Sequence, residues 1–290
     1  MSYNLKKDRN IFPKGVYMKN SLAQKEEKLI KFLQALPAPA LAFSGGVDSA
    51  LLLAACQKAN APVKVITCST PLVPAFEKED VVRLAEELNF EVNFLQLNPL
   101  ELPEFYLNDG KRCYHCKKFL FTAMQEKATS LGCACLLDGA NLDDLGDYRP
   151  GMQATKELKV ISPLLECDFT KADVRVLAEK YKLSIAAKPA YACLASRIAY
   201  GEAVTLEKLA SVERAEAALK TLGLHDVRVR CHNNLARVEV AQAEIELATT
   251  KLREQIISAV KDAGFTYVTL DLEGFRSGSM NSALTKAKTF

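Results

Sequence analysis

The sequence predicts an α/β protein: a doubly wound parallel sheet followed by a small C-terminal α+β domain. Three observations carry that expectation. Short apolar runs alternate with segments of helical period over residues 21–182, a Gly-Gly turn follows the first apolar run, and the pattern changes near Gly201. A chain of 290 residues is long enough for one large domain and one small one. Residues 1–200 are expected to form the first, with a polar, basic and flexible arm over 1–20, and residues 201–290 the second.

The elements follow in order. Ser21 to Leu36 has helical periodicity, ended by Pro37 and Pro39, and Ala40 to Phe43 is a strand. A turn over Ser44–Ser49 leads into a helix from Ala50 to Ala59, a strand from Val63 to Thr67 and a helix from Ala75 to Leu88. Glu91 to Leu97 is a strand, Lys117 to Ser130 a helix and Cys133 to Asp138 a buried strand. Thr170, with Asp173 at the capping-box spacing, starts a helix that runs to Lys182. Beyond Gly201 the expectation is a helix over Leu206–Leu222, a strand pair at Val227–Val229 and Ala236–Val240, a long helix over Glu244–Ala263 and a last strand over Tyr267–Leu272.

Composition excludes several classes. Lys and Arg number 38 against 35 Asp and Glu, and a net charge of +3 gives no footprint for nucleic acid. The longest apolar runs, Ala50–Cys56 and Leu131–Leu137, fall far short of the roughly 20 residues of a membrane span. Met1 to Gly15 has no apolar signal core, so a cytoplasmic location without membrane contact is expected. Nine cysteines are an odd number and cannot all pair within one molecule. Cys56, Cys68, Cys133, Cys135, Cys167 and Cys231 sit in or beside apolar runs and read as buried thiols, whereas Cys113, Cys116 and Cys193 have different neighbours.

Ser44-Gly45-Gly46-Val47-Asp48-Ser49 is built like a phosphate cradle. Its glycines allow close backbone approach, its serine hydroxyls can donate, and the next helix offers free N–H groups to an anion. Asp48 suits a cradle that also holds a divalent cation, as in a Mg2+-nucleotide complex. The run matches neither Gly-x4-Gly-Lys-Ser/Thr nor Gly-x-Gly-x-x-Gly. Asp138-Gly139-Ala140-Asn141-Leu142-Asp143-Asp144 ends a strand, which puts its polar groups at the sheet's carboxyl edge. The first run resembles the Ser-Gly-Gly-x-Asp-Ser signature of the PP-loop ATP pyrophosphatase superfamily. The second resembles its Asp-Gly-Thr-Asn-x-Asp-Asp segment, with Ala140 in place of Thr. That resemblance implies a Rossmann-like sheet of the adenine nucleotide alpha hydrolase type and cleavage of ATP between its α and β phosphates. It assigns nucleotide binding to Ser44, Gly45, Gly46, Val47, Asp48, Ser49, Asp138, Gly139, Asn141 and Asp144.

Lys111-Arg112-Cys113-Tyr114-His115-Cys116-Lys117-Lys118 sets two thiols among four cations, just before the expected helix, and both features favour thiolate. A zinc site, a redox pair and an iron–sulfur cluster that recruits one more cysteine compete here. Cys193, in Lys188-Pro189-Ala190-Tyr191-Ala192-Cys193-Leu194-Ala195-Ser196-Arg197, can be that cysteine. Arg228, Arg230, Arg237 and Arg276, with the nest-like Ser277-Gly278-Ser279, are candidates for holding an anionic substrate. Glu216 and Glu239 are weaker metal candidates, and an exposed helix carboxylate is the simpler reading of Glu216.

Taken together, Arg112-Cys113-x-x-Cys116-Lys117, Gly146-Asp147-Tyr148-Arg149-Pro150-Gly151, Ser162-Pro163-Leu164, Cys193-Leu194-Ala195-Ser196-Arg197 and Leu270–Met280 resemble the LarE family from about Lys25 onward. The resemblance implies an ATP-dependent sulfur transferase of nickel-pincer nucleotide cofactor synthesis. Such an enzyme adenylates a pyridinium dicarboxylic mononucleotide and converts carboxylate to thiocarboxylate. Cys193, Asp48 and Arg197 would be catalytic, and Arg228, Arg237, Arg276 and Ser277 would bind the substrate. Cys113, Cys116 and Cys193 would hold a 4Fe-4S cluster fed by a sulfide donor, the favoured route. Sacrifice of Cys193 to dehydroalanine is the other. ATP and Mg2+ are the remaining cofactors, and a homo-oligomer is expected. A tRNA thiolase, an amide-forming synthetase and a nucleotide-gated cluster or metal carrier are the rival readings.

Overall fold

A computed structural model describes residues 21–146, 150–189, 191–276 and 278–281. The expected arm over 1–20, Asp147 to Arg149, Ala190 and Ser277 lie outside the described residues. Helix α1 (Leu22–Gln34) begins at a capping box in which Ser21 and Gln24 satisfy each other's backbone N–H groups. Strand β1 (Pro39–Ala42), helix α2 (Val47–Lys58), β2 (Lys64–Ser69), α3 (Ala75–Glu87) and β3 (Val92–Gln96) follow. After the short helix α4 (Pro103–Tyr106) come α5 (Arg112–Ser130) and β4 (Cys135–Leu137). The four strands pair in parallel in the order β3-β2-β1-β4. The chain winds outward from β1 through β2 to β3 and returns to place β4 on the other side of β1. The carboxyl ends of β1 and β4 therefore flank the point where the order reverses, the usual ligand crevice of an open α/β sheet.

Alternation along β1 separates two cores. Leu41 faces a cluster built with Leu29, Leu33, Leu51, Leu84 and Phe169, while Ala40 and Ala42 face Ile66, Met124 and Ala128 beneath α5. Short helices α6 (Pro150–Glu157) and α7 (Pro163–Glu166) lead to α8 (Lys171–Lys180), capped by Thr170 and Asp173 in the expected box. Glu26 joins α1, α2 and α8 by accepting hydrogen bonds from Lys58, Lys180 and Tyr181. Burial works to raise its pKa, but the bonds from Lys180, Lys58 and Tyr181 win and bring it down to about 2. Its contribution is complete above the ordinary carboxyl range and fades as pH falls toward 2. Half-exposed lysine ends are screened, so Glu26→Gln is expected to cost about 2 kcal/mol at pH 7. The gap between the two urea midpoints is expected to close as pH falls from 5 to 2.

The C-terminal unit comprises α9 (Leu206–Thr221), β5 (Arg228–His232), β6 (Leu235–Glu239), α10 (Ile245–Thr249), α11 (Arg253–Asp262) and β7 (Tyr267–Leu270). Its sheet runs β5-β6-β7, with an antiparallel hairpin and a parallel last strand. The long helix expected over Glu244–Ala263 is broken. The Thr249 and Thr250 hydroxyls donate to the carbonyls of Ile245 and Glu246, and Thr250 leaves the helical region at φ −110°, ψ −82°. The core of this unit also takes in Leu72, Phe105, Leu194, Ala195 and Ile198 from earlier in the chain. No described helix is long and apolar enough to cross a membrane.

Candidate active site

The loop after β1 is shaped by its glycines. Gly45 has φ +73°, and a Cβ there would meet Val81 Cγ2 at 2.8 Å. Gly46 is the N-cap of α2 and brings no side-chain cap, so the first amides of that helix stay available to an anion. The Ser44 and Ser49 hydroxyls lie 3.2 Å apart, and Ser49 Oγ donates to the Gly46 carbonyl at 3.0 Å. Val47 buries its side chain and can offer only its backbone. The segment after β4 lies against this loop, and a Cβ on Gly139 would come within 3.1 Å of Asp48 Cβ and the Ser49 nitrogen.

Asp48 is clasped from both sides. Asn141 Nδ2 donates to Oδ1 at 3.0 Å, and Lys171 Nζ is ion-paired with Oδ2. The Lys171 backbone N–H is held in turn by Asp143 Oδ2 at 2.6 Å. Asp138 is buried and accepts from Ser162 Oγ at 2.6 Å, with Lys117 Nζ 3.7 Å from its other oxygen. A cavity of about 460 Å3 opens here, lined by Ser44, Asp48, Ser49, Cys113, Asp138 and Asp144 among others. Through Ala42, Ser44 and Phe121 it borders a second cavity of about 240 Å3, walled mainly by apolar residues such as Val81, Phe94 and Met124. A polar chamber beside an apolar one suits a phosphate chain and a flat base.

The cysteine pair does not precede its helix. Asn108 at φ +54° and the Asp109 carboxylate, which accepts the Lys111 N–H at 2.7 Å, start α5 at Arg112, so both thiols lie in its first two turns. Nor do the surrounding cations win. Desolvation and then the neighbouring Cys193 raise the Cys113 thiol, against opposing pulls from Arg112 and Lys117, and Cys116 is raised further. Cys113 opens on the cavity, while Cys116 and Cys193 pack beside the core of the C-terminal unit. Among the described residues no three His, Cys, Asp or Glu side chains are spaced to grip a metal ion.

Arg197 does not reach the cavity. It is 0% exposed and ion-paired with Glu216 at 2.9 Å, and it donates to the Ala192 carbonyl at 2.6 Å and the Cys193 carbonyl at 3.2 Å. Glu216 is not an exposed helix carboxylate, because only 2% of it is accessible. Burial pushes its pKa up, and Arg197, Tyr191 Oη and the Val229 N–H more than reverse that. Glu239 is likewise enclosed, by Arg230, Arg237 and Ser279, which leaves a cation no free oxygen. Arg237 is neutralised by Asp271 and Glu239, and Arg276 pairs with Glu273 at the surface. Arg228 has no carboxylate within ion-pair distance among the described residues. It stacks on Tyr191 at 4.8 Å and Phe275 at 4.9 Å, close to Lys220, which caps Phe76 at 4.4 Å.

Lys171 and Lys220 are absent from the sequence-based site. Nothing in the sequence marks either, since Lys171 meets Asp48 only through the packing of α8 beside α2. No protein-family model matches the chain. A Synechocystis sp. protein, "Uncharacterized protein slr1717", is 40% identical over 267 residues, covering 91% of this chain and 100% of its own. The pyridinium-3,5-bisthiocarboxylic acid mononucleotide synthase of Lactiplantibacillus plantarum is 37% identical over 270 residues, 92% of this chain and 98% of its own. The structure of an NMN synthetase from Francisella tularensis aligns over 59% of this chain and 76% of its own with a TM-score of 0.47 at 16% identity.

Proposed function

The chain belongs to the LarE family, and from that premise we propose that it is an ATP-dependent sulfur transferase acting on a pyridinium dicarboxylic mononucleotide. The observation that carries the reading is that Cys113, one of the three cysteines of the proposed sulfur site, opens into the same cavity as Ser44, Asp48 and Ser49. ATP lies with its phosphates on the α2 amides and the serine hydroxyls and its base toward the apolar cavity. The substrate carboxylate attacks the α-phosphorus, pyrophosphate leaves, and the amides and Lys171 spread the charge that grows on the departing phosphates. Arg228 and Lys220, which have no carboxylate within ion-pair distance among the described residues, meet the anionic end of the substrate.

Mg2+ is commonly held by one or two carboxylates plus phosphate oxygens, and Asp48 and Asp144, which line the cavity, would supply them, Asp48 by exchanging its Lys171 ion pair for the metal. Cys113, Cys116 and Cys193 have the donor chemistry for a 4Fe-4S cluster, although their spacing is not preset for a metal. Such a cluster would present an iron-held sulfide to the adenylate. Without it, the Cys193 thiol attacks the acyl carbon and AMP leaves. Loss of the Cα proton and cleavage of Cβ–Sγ then leave dehydroalanine and the thiocarboxylate.

The test incubates the purified protein anaerobically with ATP and the dicarboxylate mononucleotide. Pyrophosphate release dependent on that substrate is expected, and its absence overturns the adenylation. Loss of H2S from the mass of the chain distinguishes sacrifice of Cys193 from the cluster route.

A further inference from the structure

Three arginines are buried among the described residues, and all three hold the loop that carries Cys193. Arg197 donates to the Ala192 and Cys193 carbonyls, Arg230 to the Ser196 carbonyl at 3.4 Å, and Arg112 to the Ala195 carbonyl at 2.9 Å. Two of them have a carboxylate of their own. Arg197 has Glu216 and Arg230 has Glu239. Arg112, only 4% exposed, has none within ion-pair distance among the described residues. Its other partners are neutral: the Asn108 side-chain oxygen and the Tyr200 ring at 5.3 Å. Its Nε has no hydrogen-bond partner among the described residues.

A buried guanidinium without an anion is costly and is tolerated where an anion completes the site. Arg112 precedes Cys113 in the chain and bonds the carbonyl two residues beyond Cys193. We infer that Arg112 is a positioning residue that supplies the fixed counter-charge for an anionic sulfur centre formed by Cys113, Cys116 and Cys193. It ties α5 to the Cys193 loop and holds a positive charge between Cys113 and that loop. The inference rests on the sulfur-transfer reading, but its test does not use ATP or the substrate, so either can fail alone.

The probe is alkylation of Cys113 by iodoacetate, an anion, and by neutral iodoacetamide, with the Cys113 peptide quantified by mass spectrometry. The ratio of the two rates at one pH cancels thiolate fraction and access, which a merely structural role would alter, and reports local charge. In the unmodified protein that ratio is expected to exceed the ratio for glutathione by about tenfold, as for a unit charge a few ångströms away in a partly screened site. A ratio equal to that of glutathione overturns the inference without any variant. Arg112→Gln is expected to lose most of the excess and Arg112→Lys to keep it. An excess that survives in Arg112→Gln, or that disappears only in Lys117→Met, places the charge elsewhere and equally overturns it.

Discussion

Cys193→Ala is expected to abolish thiocarboxylate formation, by at least about 1,000-fold, while substrate-dependent pyrophosphate release stays within a few-fold of the unmodified enzyme. Position 193 would take part in both proposed sulfur routes, as the leaving sulfur or as a cluster ligand, yet it does not line the phosphate-side cavity. The side chain is small and half-buried, so its truncation leaves little void and the loop remains tied by Arg197 and Arg112. Parallel assays of pyrophosphate and of thiocarboxylate by mass spectrometry check the split. Equal losses in both would mean that Cys193 shapes the nucleotide site itself.

Glu216→Ala is expected to be the most damaging stability change, costing about 3–5 kcal/mol, because it strands Arg197 as a buried cation. It also removes the acceptor of Tyr191 Oη and of the Val229 N–H, two further groups with nowhere else to go. A fall in melting temperature of roughly 10 °C corresponds to that range for a chain of this size. Glu216→Gln keeps an acceptor while losing the charge, and is expected to fall between the two. Calorimetry of the three proteins at one pH makes the comparison, and a melting temperature unchanged in Glu216→Ala would show that Arg197 finds compensation in solvent.

The sheet was legible because its signals are local. A hydrophobic run followed by Ser-Gly-Gly, and another followed by Asp-Gly, dictate strand, tight turn and helix, and two such turns on neighbouring strands must meet at the carboxyl edge. Burial of charge was not legible. Glu216 stands in a helix whose pattern gives no sign that the Cys193 loop folds over it, and the fate of Arg237 depends on Asp271, far along the chain. The same holds for the cysteine pair. Its cations are visible in the sequence, but the desolvation that outweighs them comes from packing between α5 and the core of the C-terminal unit. Asp48 was readable as a cation-facing residue, whereas Lys171 became its partner only through the placement of α8 beside α2.

The apolar cluster that mixes Leu72, Phe105 and Leu194 with Val229, Val238 and Val260 bears on how such a chain can be rebuilt. A chimera spliced at residue 200 would graft a foreign C-terminal lobe onto a socket whose lining lies in the β2–α3 connection, in α4 and around Cys193. Those three stretches have to travel with the lobe, so the smallest exchangeable module is discontinuous in sequence.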